Sequence, residues 1–423
     1  MTSEAPCVAE DRAARPTAFD QLVVGVLRLW NSVSGHGFAI LLALWTVVCI
    51  PPALFRGYHY VEGLTVTIAQ SALEGGNWLT PHLFNIRWIE RPTLLSWFIA
   101  TISYPMGHVY PFVARLPVIL SVLVGAFLIW KTLRAVANTS AALLGAAAFL
   151  ACPIVIRYYA TSVADVPLAV ILFSAFLLWW KPYSEGRISI WNWLSVGSLM
   201  AVAALLKGPQ PVAYVTLGIL AFLVITSDWS QLRGLMLANV VAAIPLLIWY
   251  AYVFVPGDQS EWLRYTRLSP HGLAAPHPLF NAFDFYFEVF PTAILFTAYL
   301  LTVRRQLMAP SLRRFVLALS CYALAGTAMV LIWPAEVNPR YILPMTLPLG
   351  VLAGISYDQL VKRQPIAAAT AVCVVVGLLG YAAQHALVDA VATPAYAVSR
   401  TSGSKIAALI KARPAPLYRT TWD

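Results

Sequence analysis

The amino-acid sequence predicts an all-α polytopic membrane protein, and its composition and its succession of apolar runs carry that prediction. Of its 423 residues, 60% are hydrophobic and only 11% are charged, whereas soluble domains carry about 25% charged residues. At roughly 20 apolar residues for each membrane-spanning helix, this supply suffices for about ten or more spans. The composition therefore excludes an ordinary soluble globular protein.

The charge and cysteine content favour a membrane protein that holds neither nucleic acid nor a metal. The net charge is +10, but no basic helix or basic and aromatic stripe lies outside the apolar runs. The five cysteines are scattered and form no disulfide framework or ligand pair. Residues 1–35 contain acids and three arginines before any long apolar run, which is unlike a cleaved signal peptide. We expect the first span to remain as an anchor.

Cutting the apolar runs at charged residues predicts about eleven transmembrane helices. They lie near residues 37–54, 112–130, 139–156, 166–180, 191–206, 209–226, 236–255, 288–303, 315–333, 341–357 and 366–383. A cytoplasmic N-terminus places the basic residues of the short connectors on the cytoplasmic side, as the positive-inside rule requires. The predicted organisation is a cytoplasmic segment 1–36, a transmembrane domain 37–383 and a short extracytoplasmic tail 384–423.

Two predicted extracytoplasmic stretches are too long to be simple turns. The first, 56–111, contains two segments with apolar residues at helical spacing, 62–73 and 94–104. Both are too short to span a bilayer, so we expect interfacial helices. The second stretch, 256–287, carries Arg264 and Arg267 among prolines and aromatics, and we expect it to form a lid over a cavity.

A second set of basic residues falls on the far side of the membrane, where the orientation rule predicts few. Such a set indicates an anionic ligand at the outer surface, and a lipid phosphate is the obvious candidate. The alternative is that these bases contact lipid head groups or pair with nearby carboxylates. The set consists of Arg56, Arg87, Arg91, Arg115, Arg157, Lys207, Arg264, Arg267 and Arg340.

Two carboxylates stand at the predicted outer ends of spans. Glu62 follows the first span, and Asp165 begins a later one. Carboxylates at membrane-buried ends are costly and are functional candidates for that reason. Asp165 precedes Val166-Pro167, a pattern that also suits a helix cap. Phosphate-loop, dinucleotide, zinc-protease and nucleophile-elbow motifs are missing, and the histidines lack metal-ligand spacing, so we expect no metal and no cofactor.

Several motifs, in a fixed order, carry a resemblance to a known family. Those of the first outer loop are Glu62-Gly63-Leu64-Thr65, the segment LEGGNWLTPHL at 73–83 and Glu90-Arg91-Pro92-Thr93; later come Ala114-Arg115-Leu116-Pro117, the loop with Asp165, Lys207-Gly208-Pro209 and Arg340-Tyr341-Ile342-Leu343-Pro344. Together they resemble membrane glycosyltransferases of the GT-C fold, a family that includes the aminoarabinose transferases of lipid A and the protein O-mannosyltransferases. The resemblance covers roughly residues 38–360.

The resemblance implies transfer of a sugar from a polyprenyl-phosphate donor to an envelope lipid or glycan acceptor, without a metal and with inversion. The site would face the periplasm or exterior of a bacterial inner membrane. A carboxylate would accept the acceptor's proton, and cations would stabilise the departing phosphate. The residues expected in these roles are Glu62 and Asp165 for catalysis, Lys207, Arg340, Arg56, Arg91 and Arg115 for the phosphate, and His59, Tyr341, Arg264 and Arg267 for the acceptor or lid.

The sequence departs from the family pattern in the first outer loop. The family commonly has an Asp-Glu pair where this chain has Val61-Glu62, and Arg91 replaces a lysine before proline. Either Glu62 or Asp165 takes the role of base, or activity is lost. The alternative function is therefore a catalytically inactive protein of this fold that binds or transports a polyprenyl-linked lipid. An ordinary secondary transporter is disfavoured, because the sequence shows no internal repeat.

Overall fold

The computed structural model describes residues 17–58, 62–83, 86–258, 262–263, 278–302, 309–332 and 338–389. Within these ranges the regular secondary structure is helical apart from a short hairpin, in which β1 (His82–Leu83) pairs antiparallel with β2 (Ile86–Arg87). The helices are α1 (Ala18–Ser34), α2 (Gly37–Phe55), α3 (Glu62–Gly75), α4 (Leu94–Ser103), α5 (Pro111–Val136), α6 (Thr139–Leu150), α7 (Pro153–Tyr158), α8 (Asp165–Ser184), α9 (Ile190–Lys207), α10 (Gln210–Thr226), α11 (Leu232–Val253), α12 (Pro278–Glu288), α13 (Thr292–Thr302), α14 (Pro310–Leu331), α15 (Leu343–Arg363) and α16 (Pro365–Gln384).

Among the described residues, seven helical segments are long and apolar enough to cross a membrane. They are Gly37–Phe55, Pro111–Val136, Asp165–Ser184, Ile190–Lys207, Trp229–Val253, Pro310–Leu331 and Pro365–Val388. The all-α, multi-pass membrane class is thus confirmed. The other predicted spans correspond to α6, α10 and α13, which are short, and to α15, which carries charges in its last two turns. The count of about eleven stays a prediction.

Several predicted segments take the expected form, and two do not. The segments predicted at 62–73 and 94–104 are the helices α3 and α4. The run predicted at 139–156 is divided, because Pro153 starts α7 after the short break that follows α6. The N-terminal segment contains a helix, α1, that the apolar runs do not predict. A reciprocal capping box between Thr17 and Asp20 opens α1.

Helix α15 lies at the centre of the bundle. Every residue from Leu343 to Asp358 is buried, as expected of a helix that packs on all sides. It approaches α6 closely, since a Cβ atom added at Gly145 would lie 2.6 Å from the Gly350 carbonyl oxygen. Small residues allow such approach between membrane helices. The turn that precedes α15 is thereby held at one end of the bundle.

Candidate functional site

A cavity of about 520 Å³, including its open mouth, lies at that end of the bundle. The start of α8, the end of α9, the turn before α15 and the segment between β2 and α4 all contribute to its wall. The charged lining residues are Asp165, Lys207, Arg340 and Arg91, and the apolar ones include Leu64, Ile68, Leu95 and Leu206. The cavity therefore combines an apolar wall with a predominantly cationic one.

Asp165 and Lys207 form a buried ion pair at the inner side of this cavity. Asp165 is only 2% exposed and Lys207 only 8%, and the Lys207 ammonium contacts Oδ1 of Asp165 directly. Asp165 is the first residue of α8, and Lys207 is the last residue of α9. A carboxylate at a helix N-terminus and an ammonium at a C-terminus both interact favourably with the helix dipoles. The two helix ends thus bring opposite charges together.

The Lys207 side chain is also held by an aromatic ring and by a tight turn. Its Nζ atom lies 4.2 Å from the centroid of the Tyr341 ring, within the range of a cation–π contact. The backbone carbonyl of Tyr341 accepts a hydrogen bond from the Tyr214 hydroxyl at 2.9 Å. Gly208 follows at φ +84°, a conformation that favours glycine. This turn separates α9 from α10 and fixes Lys207 at the helix end.

Arg340 is the second cation that faces the Asp165 carboxylate. Its Nε atom lies 3.9 Å from Oδ2 of Asp165 and, among the described residues, has no hydrogen-bond partner although it is buried. Burial by itself would lower the pKa of Arg340, but the facing carboxylate and neighbouring tyrosines outweigh it and raise the pKa. An unsatisfied buried donor is costly. Two cations against one carboxylate leave this wall with positive charge available to an anion.

Arg91 lines the cavity from the segment between β2 and α4, which is anchored to the end of α11. Arg91 pairs with Glu90, with 2.7 Å between Nη1 and Oε1. The backbone carbonyl of Glu90 accepts hydrogen bonds from the Tyr250 hydroxyl and the Trp262 indole, each at 3.0 Å. These bonds tie the position of Arg91 to α11 and to the segment that follows it.

Glu62 lies outside the lining of this cavity. Its side chain is fully buried and accepts hydrogen bonds from Arg115 Nε at 2.8 Å and Arg115 Nη2 at 2.9 Å. The backbone amide of Ser162 donates a third bond of 2.9 Å to Oε1. This is a bidentate, buried ion pair. The assignment of Glu62 as a base stays a prediction, and the contacts give it a structural role.

Arg115 and Arg56 are likewise committed to the protein's own groups. Arg115 Nη1 and Nη2 donate to backbone carbonyls at the end of α2 and just after it, those of Pro52, Ala53, Arg56 and Gly57, at 2.8–3.3 Å. Arg56 Nη2 donates to the carbonyl of Ala160 at 2.5 Å and lies 4.0 Å from Glu62 Oε2. Their predicted role as phosphate ligands is untested, and their contacts favour loop anchoring.

The remaining predicted residues are distributed as follows. His59, Arg264 and Arg267 lie outside the described residues. Tyr341 contacts Lys207, as described above. The hydroxyl of Thr93 lines the cavity and is buried without a partner in the described part of the chain. Thr93 belongs to the Glu90-Arg91-Pro92-Thr93 motif, but the sequence alone assigns it no role. The described residues contain no cluster of three acidic, histidine or cysteine side chains suited to a metal, and metal independence stays a prediction.

Comparison with known proteins identifies the fold. Residues 90–251 match the family profile described as dolichyl-phosphate-mannose-protein mannosyltransferase. The crystal structure of ArnT from Cupriavidus metallidurans bound to undecaprenyl phosphate superposes with a TM-score of 0.67, over 95% of this chain and 82% of that one, at 19% identity. The apo structure gives 0.60, over 81% and 60%, at 23% identity. The chain therefore shares the GT-C fold of these ArnT structures, and over residues 90–251 it is similar to the mannosyltransferase family. The resemblance inferred from its motifs is confirmed.

Curated relatives match the chain over part of their length. An undecaprenyl phosphate-alpha-4-amino-4-deoxy-L-arabinose arabinosyl transferase of Enterobacter sp. (strain 638) is 21% identical over 229 residues, which make up 53% of this chain and 41% of the relative. The corresponding transferase of Erwinia tasmaniensis is 26% identical over 198 residues, 46% of this chain and 35% of the relative. The chain thus matches well under half the length of these two relatives.

Proposed function

We propose that the protein is a membrane glycosyltransferase that moves a sugar from a polyprenyl-phosphate donor to an envelope lipid or glycan acceptor. The reaction takes place on the extracytoplasmic side of a bacterial inner membrane, with the N-terminus in the cytoplasm. The observation that carries the proposal is the cavity in which one buried carboxylate, Asp165, faces two cations, Lys207 and Arg340. The similarity to arabinosyl transferases whose names specify undecaprenyl phosphate supports the same substrate class.

The excess positive charge of the cavity lining stabilises the phosphate that leaves the sugar. A polyprenyl phosphate gains negative charge on its bridging oxygen as the bond to the sugar breaks, and fixed cations in a dry site stabilise that charge. Lys207 and Arg340 supply this stabilisation, and Arg91 lies on the same wall. The Nε atom of Arg340, which has no hydrogen-bond partner among the described residues, gives the phosphate a directed hydrogen bond. The apolar wall accommodates the first isoprene units of the donor.

Asp165 serves as the group that accepts the acceptor's proton. In the structure its Oδ1 atom is engaged by Lys207, and an ion-paired carboxylate is a weak base. A bound phosphate competes for the Lys207 ammonium, so donor binding frees a carboxylate oxygen. The base is thereby activated only when the donor is present. The buried pairing of Glu62 with Arg115 supports giving this role to Asp165.

The test is turnover by the purified full-length protein in lipid nanodiscs, with polyprenyl-phosphate-linked pentoses and hexoses as donors. Asp165→Asn is expected to lower turnover by about a hundredfold or more while undecaprenyl phosphate still binds. The matched control is Asp358→Asn, which changes another buried aspartate, one bound to Asn138 at the opposite end of α15. Equal turnover in both variants contradicts the assignment. Binding without turnover of any donor by the unaltered protein supports the inactive lipid-binding alternative.

A further inference from the structure

Helix α1 presents two apolar faces, and the bundle covers one of them. Val23, Leu27 and Trp30 recur at the spacing of one helix face and are 6%, 9% and 8% exposed. They belong to the main hydrophobic core of the protein. The indole of Trp30 also donates a hydrogen bond of 3.1 Å to the carbonyl of Ser140. This face anchors α1 to the bundle.

The second apolar face lies beside the first and is uncovered. Phe19, Leu22 and Leu29 are 54%, 63% and 67% exposed, and Val33 is 38% exposed. Their spacing of three, seven and four residues places them on one stripe of the helix. The polar residues Asp20, Gln21, Arg28 and Ser32 lie on the remaining side. The helix is therefore amphipathic, with an apolar arc wider than its contact with the bundle needs.

The hydrogen bonds of α1 place it at the end of the bundle opposite the cavity. Ser140, which contacts Trp30 and Asn31, lies in the first turn of α6. Asn138, two residues before Ser140, donates a hydrogen bond of 2.5 Å from its Nδ2 atom to Oδ1 of Asp358. Asp358 lies roughly 20 Å along α15 from the cavity end of that helix, at 1.5 Å per residue. The C-terminal half of α1 is thus close to the far end of the bundle.

This end of the bundle is rich in exposed basic residues. Arg28 projects from α1 itself, Arg134 lies in the last turn of α5, and Lys362 and Arg363 lie in the last turn of α15, immediately before α16. An apolar stripe bordered by cations is the pattern of a helix that lies in a membrane interface and attracts anionic head groups. The transmembrane helices that surround it already place the bundle in a bilayer.

We infer that α1 lies in the membrane interface on the side opposite the cavity and binds the surface of an anionic phospholipid leaflet. Phe19, Leu22, Leu29 and Val33 enter the boundary between head groups and acyl chains, and Arg28 contacts lipid phosphates. The helix thus fixes the depth of the bundle end that does not carry the site. This inference is independent of the proposed sugar transfer.

The test uses spin labels placed singly on the full chain in nanodiscs that contain anionic lipid, after Cys7 and Cys373 have been replaced by serine. For each label, accessibility to molecular oxygen is divided by accessibility to a water-soluble nickel complex. This ratio is expected to be severalfold higher for labels at Leu22, Leu29 and Val33 than for labels at Gln21 and Ser32. Equal ratios at all five positions overturn the inference, because the helix would then lie in water. Labels on the stripe that neither oxygen nor the nickel complex reaches, with spectra broadened by dipolar coupling between spins, also overturn the inference. A second copy of the chain would then cover the stripe.

A charge reversal tests the anionic-leaflet part separately. Arg28→Glu, or replacement of the anionic lipid by a zwitterionic one, is expected to lower the accessibility ratio of the Leu29 label about twofold or more. The matched control is Arg233→Glu, which reverses an exposed charge near the start of α11 and is expected to leave the ratio unchanged. A ratio that responds neither to Arg28→Glu nor to lipid charge contradicts the anionic-leaflet assignment.

Discussion

Arg115 binds both carboxylate oxygens of Glu62, and neither side chain has exposed surface. The pair connects the first residue of α3 to the second turn of α5. Through the amide of Ser162 it also reaches the loop that ends at Asp165. The short segment from Ser162 to Asp165 therefore links the Glu62–Arg115 ion pair to the Asp165–Lys207 ion pair, although only the second pair faces the cavity.

Loss of Glu62 should destabilise the protein as a whole. Glu62→Ala leaves the Arg115 guanidinium buried without a counter-charge, and removing one partner of a buried ion pair costs about 3–5 kcal/mol. The thermal midpoint of the detergent-solubilised protein is expected to fall clearly. Glu74→Ala, at the exposed end of the same helix, removes only a bond to Gln70 and should change the midpoint little. A variant Glu62→Gln with an unchanged midpoint but no turnover would instead identify Glu62 as the base.

Arg340 should contribute directly to the affinity for the lipid phosphate. Hydrogen bonds to charged groups contribute about 1.5–3 kcal/mol, so Arg340→Gln is expected to weaken undecaprenyl phosphate binding by about tenfold or more. Native mass spectrometry or competition with a labelled lipid phosphate measures this affinity. Arg233→Gln removes an exposed arginine from the start of α11, which the 17-residue helix α10 separates from Lys207. This variant should bind undecaprenyl phosphate as the unaltered protein does. Equal affinity of both variants for undecaprenyl phosphate would show that Arg340 does not bind the phosphate.

The site could be predicted in part, because charges at the outer ends of apolar runs are rare and therefore conspicuous. That pattern points to Asp165, Lys207 and Arg340, and the structure places both cations at the Asp165 carboxylate. The pairing of Glu62 with Arg115 was not predictable, since the two residues are 53 positions apart along the chain. A motif shows that both residues are present, whereas only the folded structure shows that the Arg115 guanidinium meets the Glu62 carboxylate.

Helix α1 escaped prediction for a different reason. Its 17 residues include Asp20 and Arg28 and form no long apolar run, and the search for spans depends on such runs. The available signals were local ones, namely the capping box at Thr17 and the apolar spacing of Val23, Leu27 and Trp30. A helix that lies against the bundle, instead of crossing the membrane with the other helices, is identified by the periodic spacing of its apolar residues rather than by its mean hydropathy.

The close packing of α6 on α15 should be sensitive to added volume. A Cβ atom at Gly145 would lie 2.6 Å from the Gly350 carbonyl oxygen, and backbone cannot move aside cheaply. Overpacking of this kind costs typically about 1–3 kcal/mol, so Gly145→Ala is expected to lower the thermal midpoint. Gly377→Ala in α16 adds a methyl where nothing lies within 4 Å and is expected to leave the midpoint unchanged. A midpoint for Gly145→Ala as high as that of the control would contradict the packing.

The turn at Gly208 should affect turnover more than stability. At φ +84° and ψ −161°, an alanine is strained by about 1–3 kcal/mol, and the chain relieves this strain by shifting the end of α9. Lys207 then moves relative to Asp165, and a displacement of about 1 Å can lower the rate roughly a hundredfold. Gly208→Ala is therefore expected to lose most turnover while it keeps a folded bundle, as measured by thermal midpoint in the same preparation. Gly380→Ala in α16, where the added methyl meets nothing within 4 Å, is the matched control and should keep full turnover. Unchanged turnover in Gly208→Ala would show that the position of Lys207 does not depend on this turn.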